Sequence, residues 1–191
     1  MHNTITWEII PLTQPAVIRN CPKCGNHAEY ENSENFRVNA NQSHIDVWLI
    51  YQCKKCKSTW NMEIHSRVHS RSIDRDLYQK YIMNDKELAK QYAFDVAAHS
   101  KNKSILSFDN ILYQINANKS TLPKTNEVIN IELICNYPLD IRLDKIISKQ
   151  LGISRELVKK MGKEGNIFCA GIKDISKAKV KNKMILTINQ A

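Results

Sequence analysis

Two Cys-x-x-Cys pairs are the residues of this sequence whose type and spacing best suit chemistry. Cys21 and Cys24 form the first pair, and Cys53 and Cys56 form the second, with 28 residues between the pairs. A tight turn with two cysteines supplies two adjacent thiolates, and two such turns complete the four-ligand tetrahedron of a structural zinc site. We therefore predict a structural Zn2+ ion at these four residues. Four cysteine ligands leave no position for a water molecule, which argues against catalysis by the metal.

Other interpretations of the cysteines are a redox dithiol and ordinary buried thiols. A redox dithiol needs only one pair beside a βαβ unit, and this chain has two pairs. The N-terminal residues lack the pattern of a secretion signal, which favours a metal over disulfides and predicts a cytoplasmic protein. The two remaining cysteines, Cys135 and Cys169, stand alone in apolar runs and are predicted to be core residues.

The segment between the two pairs has the pattern of a β-hairpin. Residues 36–41 and 45–53 alternate between apolar and polar side chains, with a turn at Gln42 and Ser43. A hairpin returns the chain from the first cysteine turn to the second, which is the arrangement of a zinc ribbon. A third strand is predicted over residues 58–64. The alternation places Trp48 and Ile50 on the face opposite Leu49 and Tyr51.

The rest of the chain alternates helical and strand patterns and predicts an α+β fold. Asn84 with Glu87 has the spacing of a capping box and predicts a helix that continues to about His99. The remaining predicted elements are strands over 111–115, 128–134, 166–170 and 184–189, and helices over 142–151 and 154–161. We predict a zinc-ribbon domain at 1–70, a mixed helical and strand section at 71–138, and a basic domain with a helix pair and a small sheet at 139–191.

The positive charge is concentrated in the last quarter of the sequence. Residues 139–191 contain 12 Lys and Arg against 5 Asp and Glu, a net charge of +7, whereas the first 138 residues have a net charge of +2. A local excess of this size is typical of a protein that binds a polyanion.

The two C-terminal helices are predicted to be amphipathic, with their cations opposite the apolar side. The first helix places Arg142, Lys145 and Lys149 together, and the second places Arg155, Lys159 and Lys163 together. Ser154 is predicted to cap the second helix, whose N-terminus favours anions. Two such cationic rows suit a phosphate backbone. The competing interpretation is a solvated lysine-rich surface.

The sequence from Arg142 to Ile167 also resembles the small RNA-binding domain named after ribosomal protein S-four. The shared features are Arg142-Leu-Asp144 at the start of one helix, Ser154-Arg155 at the start of the next, and Gly165 before an apolar strand. The resemblance implies that the basic faces of both helices hold structured RNA, such as ribosomal or transfer RNA. It matches the family's RNA-binding positions to Arg142, Lys145, Arg155, Lys159 and Lys160.

Over its whole length the chain resembles a bacterial group, the domain-of-unknown-function family 1062. The resemblance rests on five segments: 7–11, 19–24, 36–41, 46–51 and 53–56. It supports the architecture and implies no activity.

These observations predict an RNA-binding protein with a structural zinc ion. The alternative is an adaptor that binds a protein partner through the ribbon hairpin, with Trp48 and Ile50 exposed. We expect neither an enzyme nor a small-molecule substrate, because no paired carboxylates, Ser/His/Asp set or glycine-rich phosphate loop is present. No apolar run reaches the ~20 residues of a membrane span, so no membrane partner is expected.

Overall fold

A computed structural model describes residues 5–119 and 128–189, and the fold is α+β, as predicted. The strands of the described residues are β1 (Ile5–Pro11), β2 (Ala16–Cys21), β3 (Gly25–Asn41), β4 (His44–Cys53), β5 (Thr59–His69), β6 (Ile105–Ser107), β7 (Tyr113–Ala117), β8 (Val128–Ile134), β9 (Ile167–Cys169) and β10 (Met184–Asn189). The helices are α1 (Arg75–Ile82), α2 (Lys86–Ala93), α3 (Val96–Lys101), α4 (Leu143–Leu151) and α5 (Arg155–Lys163), with a 3-10 turn at Ser70–Ser72. Among these residues no helix is long and apolar enough to cross a membrane.

The chain folds into two compact units. A central unit contains residues 13–111, and a terminal unit combines residues up to Leu12 with those from Leu112 onward. This division differs from the three consecutive segments predicted from the sequence. The physical reason is strand pairing: β1 pairs parallel with β8 and antiparallel with β7, so the first strand of the chain belongs to a C-terminal sheet.

The central unit is built on an antiparallel sheet with the strand order β5-β4-β3-β2-β6. The long pair β3 and β4 confirms the predicted hairpin, and β5 confirms the predicted third strand. Along β4 every second residue is buried, so that Ile45, Val47, Leu49 and Tyr51 enter the core together. Residues from α1 and α2 complete this core, including Tyr81 and Ala89.

The predicted helix over residues 84–99 is two helices. The cap of α2 is Asp85, whose carboxylate accepts the Leu88 N–H at 2.7 Å, so the predicted cap at Asn84 is wrong by one residue. Asn84 instead has a positive φ of 53°, and its side-chain oxygen accepts the Phe36 N–H at 2.6 Å. Asp95 is the cap of α3, because its carboxylate accepts the Ala98 N–H. This hydrogen bond interrupts the predicted continuous helix between α2 and α3.

The terminal unit is built on a mixed sheet with the strand order β7-β1-β8-β10-β9. Strands β8 and β10 have the predicted bounds, and β7 lies two residues later than predicted. Helices α4 and α5 confirm the predicted helix pair and bury Leu143, Ile146, Ile147 and Val158. Both lone cysteines, Cys135 and Cys169, are buried, as predicted. Gly152 ends α4 in the left-handed conformation at φ 65°, and Ser154 caps α5.

Candidate metal centre and basic helix pair

Two neighbouring turns of the central sheet bring the four paired cysteines together. Cys21 ends β2 and Cys24 precedes β3, while Cys53 ends β4 and Cys56 lies in the turn before β5. The sheet order places β2, β3, β4 and β5 side by side, so both turns lie at the same end of the sheet. Gly25 completes the first turn at φ 86°, a left-handed conformation that favours glycine.

The four sulfur atoms form one cluster. All four Sγ atoms lie within 4.8 Å of one another, with 3.5 Å between those of Cys21 and Cys56 and 3.9 Å between those of Cys24 and Cys53. Cys21 and Cys53 are buried, and Cys24 and Cys56 are half-buried. Among the residues that the structure describes, this is the one group of His, Cys, Asp and Glu side chains found suitable for a metal ion. Four cysteines this close together can hold a metal ion.

Ser58, which no sequence pattern indicated, is a polar residue that contacts two cysteines of this cluster. Its hydroxyl lies 3.2 Å from the Cys21 sulfur and 3.0 Å from the Cys56 sulfur. The hydrogen bond from Ser58 lowers the pKa of Cys21 to about 5 and also lowers the pKa of Cys56. By contrast, the contact with Cys56 raises the pKa of Cys24 to about 12. Neighbouring thiolates repel one another, so all four ionise together only around a cation.

Two of the lysines beside the cysteines form ion pairs with carboxylates of β3. Lys54 contacts Glu29 at 2.7 Å, and Lys57 contacts Glu31 at 2.8 Å. Both pairs are exposed to solvent, where such contacts contribute little to stability. The carboxylates therefore offset the positive charge of these two lysines.

The eight residues predicted to bind RNA are all exposed in the terminal unit. Arg142 is the residue before α4, Ser154 is the residue before α5, and the other six lie on the two helices: Lys145, Lys149, Arg155, Lys159, Lys160 and Lys163. The Ser154 hydroxyl accepts the Leu157 N–H at 3.1 Å. The helix pair therefore presents its cations to solvent.

A buried carboxylate joins the starts of the two helices. Asp144 is 3% exposed and lies 2.9 Å from a guanidinium nitrogen of Arg142 and 2.9 Å from one of Arg155. The three residues carry a net charge of +1. Both arginines therefore already have a carboxylate partner within the protein. Lys160 also has an acidic partner, through a long ion pair of 3.8 Å with Glu164 on the exposed side of α5.

The two lysines of α4 lie over an aromatic ring from β7. The Nζ atom of Lys145 is 5.6 Å from the centroid of the Tyr113 ring, and that of Lys149 is 5.3 Å away. Both distances are within the range of a cation–π contact. No sequence signal pointed to Tyr113, because the contact depends on the pairing of β7 with the first strand of the chain.

The residues predicted for a protein-binding surface on the hairpin are half-buried. Trp48 and Ile50 are both partly covered, and the Arg37 guanidinium lies 5.7 Å from the Trp48 ring centroid. The adaptor hypothesis had both side chains exposed, and a protein partner at this surface stays a prediction.

Comparison with known proteins identifies a family. The model of the family described as "Protein of unknown function (DUF1062)" matches residues 38–173. This span contains Cys53, Cys56 and the whole helix pair, and it begins after Cys21 and Cys24. No curated protein and no solved structure matches the chain. Because the match covers more than two thirds of the 191 residues, the chain belongs to this family of proteins of unknown function.

Proposed function

We propose that this protein holds a structural zinc ion in its central unit and binds structured RNA through the helix pair of its terminal unit. The observation that carries the RNA proposal is the meeting of Arg142 and Arg155 at Asp144, which brings the cationic starts of both helices together. The sulfur cluster carries the zinc proposal.

The sulfur distances suit a tetrahedral zinc ion. Zinc–sulfur bonds of about 2.3 Å in a regular tetrahedron require sulfur atoms about 3.8 Å apart. The distances of 3.5 Å for Cys21 and Cys56 and 3.9 Å for Cys24 and Cys53 lie on either side of this value. Two cysteine turns joined by the hairpin of β3 and β4 are the arrangement of a zinc ribbon. With four thiolates bound, the ion has no position for water, so the proposal assigns it a structural role and no catalysis.

The charge and exposure of the helix pair support RNA as the ligand of the terminal unit. Six of its seven cations lie on the helices themselves, and Arg142 lies directly before α4. Phosphate groups bind such cations with release of counterions, and a helix N-terminus such as that of α5 adds backbone N–H donors. The proposed RNA is structured, like ribosomal or transfer RNA, because two short helices form a fixed surface rather than an extended groove for a single strand.

Fluorescence anisotropy with labelled bulk transfer RNA tests the proposal. We expect the logarithm of the binding constant to fall with the logarithm of salt concentration by about 0.7–0.9 for each phosphate contacted. The double substitution Arg155→Glu and Lys159→Glu removes two contacts and should weaken binding strongly. The matched control is Lys80→Glu with Lys86→Glu, which changes the net charge equally in helices of the central unit. Equal effects of the two pairs, or no binding by the unaltered protein, would overturn the RNA proposal.

A further inference from the structure

Asp144 accepts hydrogen bonds from two arginines through both of its carboxylate oxygens. Arg142 donates from Nε to Oδ1 at 3.2 Å and from Nη2 to Oδ2 at 2.9 Å. Arg155 donates from Nε to Oδ2 at 3.1 Å and from Nη2 to both oxygens at 3.1 and 2.9 Å. Arg142 also donates from Nη2 to the backbone carbonyl of Ser176. The carboxylate therefore fixes the orientation of both guanidinium planes.

The carboxylate of this group is buried and the two guanidinium groups are exposed, an arrangement that favours binding of an anion from solvent. The Asp144 side chain is 3% exposed, whereas the side chains of Arg142 and Arg155 are 51% and 46% exposed. The hydrogen bonds that the two arginines donate to Asp144 come from their Nε and Nη2 atoms, so that both Nη1 groups lie outside this contact. An approaching anion meets two guanidinium groups, and the carboxylate lies behind them.

Two guanidinium groups this close together repel each other, and the carboxylate offsets that repulsion. A planar guanidinium binds a phosphate group through two parallel N–H donors, which requires a fixed orientation. Holding the side chains in place before binding also lowers the entropy lost when the ligand binds.

We infer that Asp144 is a positioning residue that holds Arg142 and Arg155 as a paired site for one phosphodiester group of RNA. This inference rests on the proposed function, because it assigns a specific phosphate contact to the helix pair. The competing interpretation is that the three residues only tie α4 to α5. The two interpretations predict different RNA affinities when the charge of Asp144 is removed.

The substitution Asp144→Asn separates positioning from net charge. It makes the protein more positive, so that charge alone predicts tighter binding to RNA. A positioning role predicts the opposite, because the Asn amide group offers the guanidinium groups a donor in place of an acceptor and the two arginines separate. With labelled transfer RNA we expect the affinity to fall by roughly tenfold, which corresponds to the loss of one charge-assisted hydrogen bond. We also expect a salt dependence lower by about one phosphate contact.

Two further variants complete the experiment. Glu164→Gln makes the same change in charge at the exposed ion pair with Lys160, and we expect it to bind transfer RNA equally or more tightly. Arg155→Lys keeps the charge and loses the planar donor pair, so we expect weaker binding. It also provides the test if Asp144→Asn does not fold, which circular dichroism would reveal.

The possible outcomes distinguish this inference from the proposed function. If the unaltered protein binds transfer RNA and a folded Asp144→Asn variant binds it equally or more tightly, the positioning role is overturned and the RNA proposal stands. If Asp144→Asn does not fold, wild-type affinity in Arg155→Lys overturns the role. If the unaltered protein does not bind, both are overturned.

Discussion

His99 is a buried histidine whose pKa is lowered by its surroundings, and no sequence pattern indicated this. Its ring is 1% exposed and lies between two hydroxyl groups, with Nε2 3.3 Å from the Tyr51 oxygen and Nδ1 2.9 Å from the Ser104 oxygen. Burial lowers the pKa of His99 to about 4, against its ordinary value of 6.5. The folded protein therefore keeps this histidine neutral at pH values where the unfolded chain takes up a proton.

We expect this histidine to destabilise the central unit as the pH falls. Between pH 6.5 and 4 the unfolded state binds the extra proton, so the free energy of unfolding decreases by roughly 3 kcal/mol over this range. Nuclear magnetic resonance of the His99 ring should show no protonation until the pH approaches 4. A ring signal that changes near pH 6.5 would contradict the prediction. The substitution His99→Gln should make the acid-induced loss of stability smaller.

The sequence predicted the residues of the candidate sites better than it predicted the contacts between them. The four cysteines were identifiable because ligand spacing is a local property. The contact of Asp144 with Arg155 joins residues on different helices. The sequence therefore showed that these residues are charged, but it did not show that they form an ion pair. Ser58 is two residues from Cys56, yet its contact with Cys21 depends on the sheet that aligns the two turns.

At the scale of the elements, the turn between α4 and α5 sets the positions of the cations. Gly152 has a φ of 65° and a ψ of 29°, a left-handed conformation in which a side chain costs free energy. A Cβ atom at this position would have no neighbouring atom within 4 Å, so a substitution would act on the backbone rather than through a steric clash.

We expect Gly152→Ala to destabilise the helix pair by about 1 kcal/mol, the conformational cost of alanine in this region. The matched variant Gly152→Asn should cost less, because asparagine adopts the left-handed conformation more readily than alanine. Hydrogen exchange of the α4 amides measures both effects as a decrease in the free energy of opening. Equal protection in the alanine variant and the unaltered protein would show that this turn does not limit the stability of α4.

Local sequence patterns predicted most of the helices and strands, but they predicted few of the pairings between strands. The strands β8 and β10 and the helix pair followed from side-chain periodicity and from Gly152 and Ser154, which act within a few residues. The helix division at Asp95 was missed because the apolar spacing continues across the break. The pairing of β1 with β8 was also missed, since alternation shows which face of a strand is buried and gives no information about a partner more than 120 residues away.

At the scale of the whole molecule, the two proposed ligands belong to different compact units. All four cluster cysteines lie in the central unit, and all eight residues of the proposed RNA surface lie in the terminal unit. Cys21 and Cys53 share one hydrophobic core with Tyr81, Leu88 and Ala89 of α1 and α2. Loss of the metal should therefore affect the central unit well beyond the hairpin.

We expect elemental analysis to find one zinc ion per chain, and a chelator to unfold the central unit while the terminal unit keeps its structure and its affinity for RNA. A structural zinc ion contributes roughly 10–16 kcal/mol to folding, more than a domain of this size can lose. Hydrogen exchange resolved by peptide would show lost protection in β3–β5, α1 and α2, and retained protection in α4 and α5.

Two cysteine variants make this experiment specific to the cluster. Cys53→Ser should lose the zinc ion and the protection of the central unit, whereas Cys135→Ser, which removes a buried cysteine of the terminal unit, should keep one ion per chain. A folded protein free of zinc would contradict the metal site. If chelation abolished RNA binding while α4 and α5 stayed protected, the prediction that the helix pair binds RNA independently of the metal would be wrong.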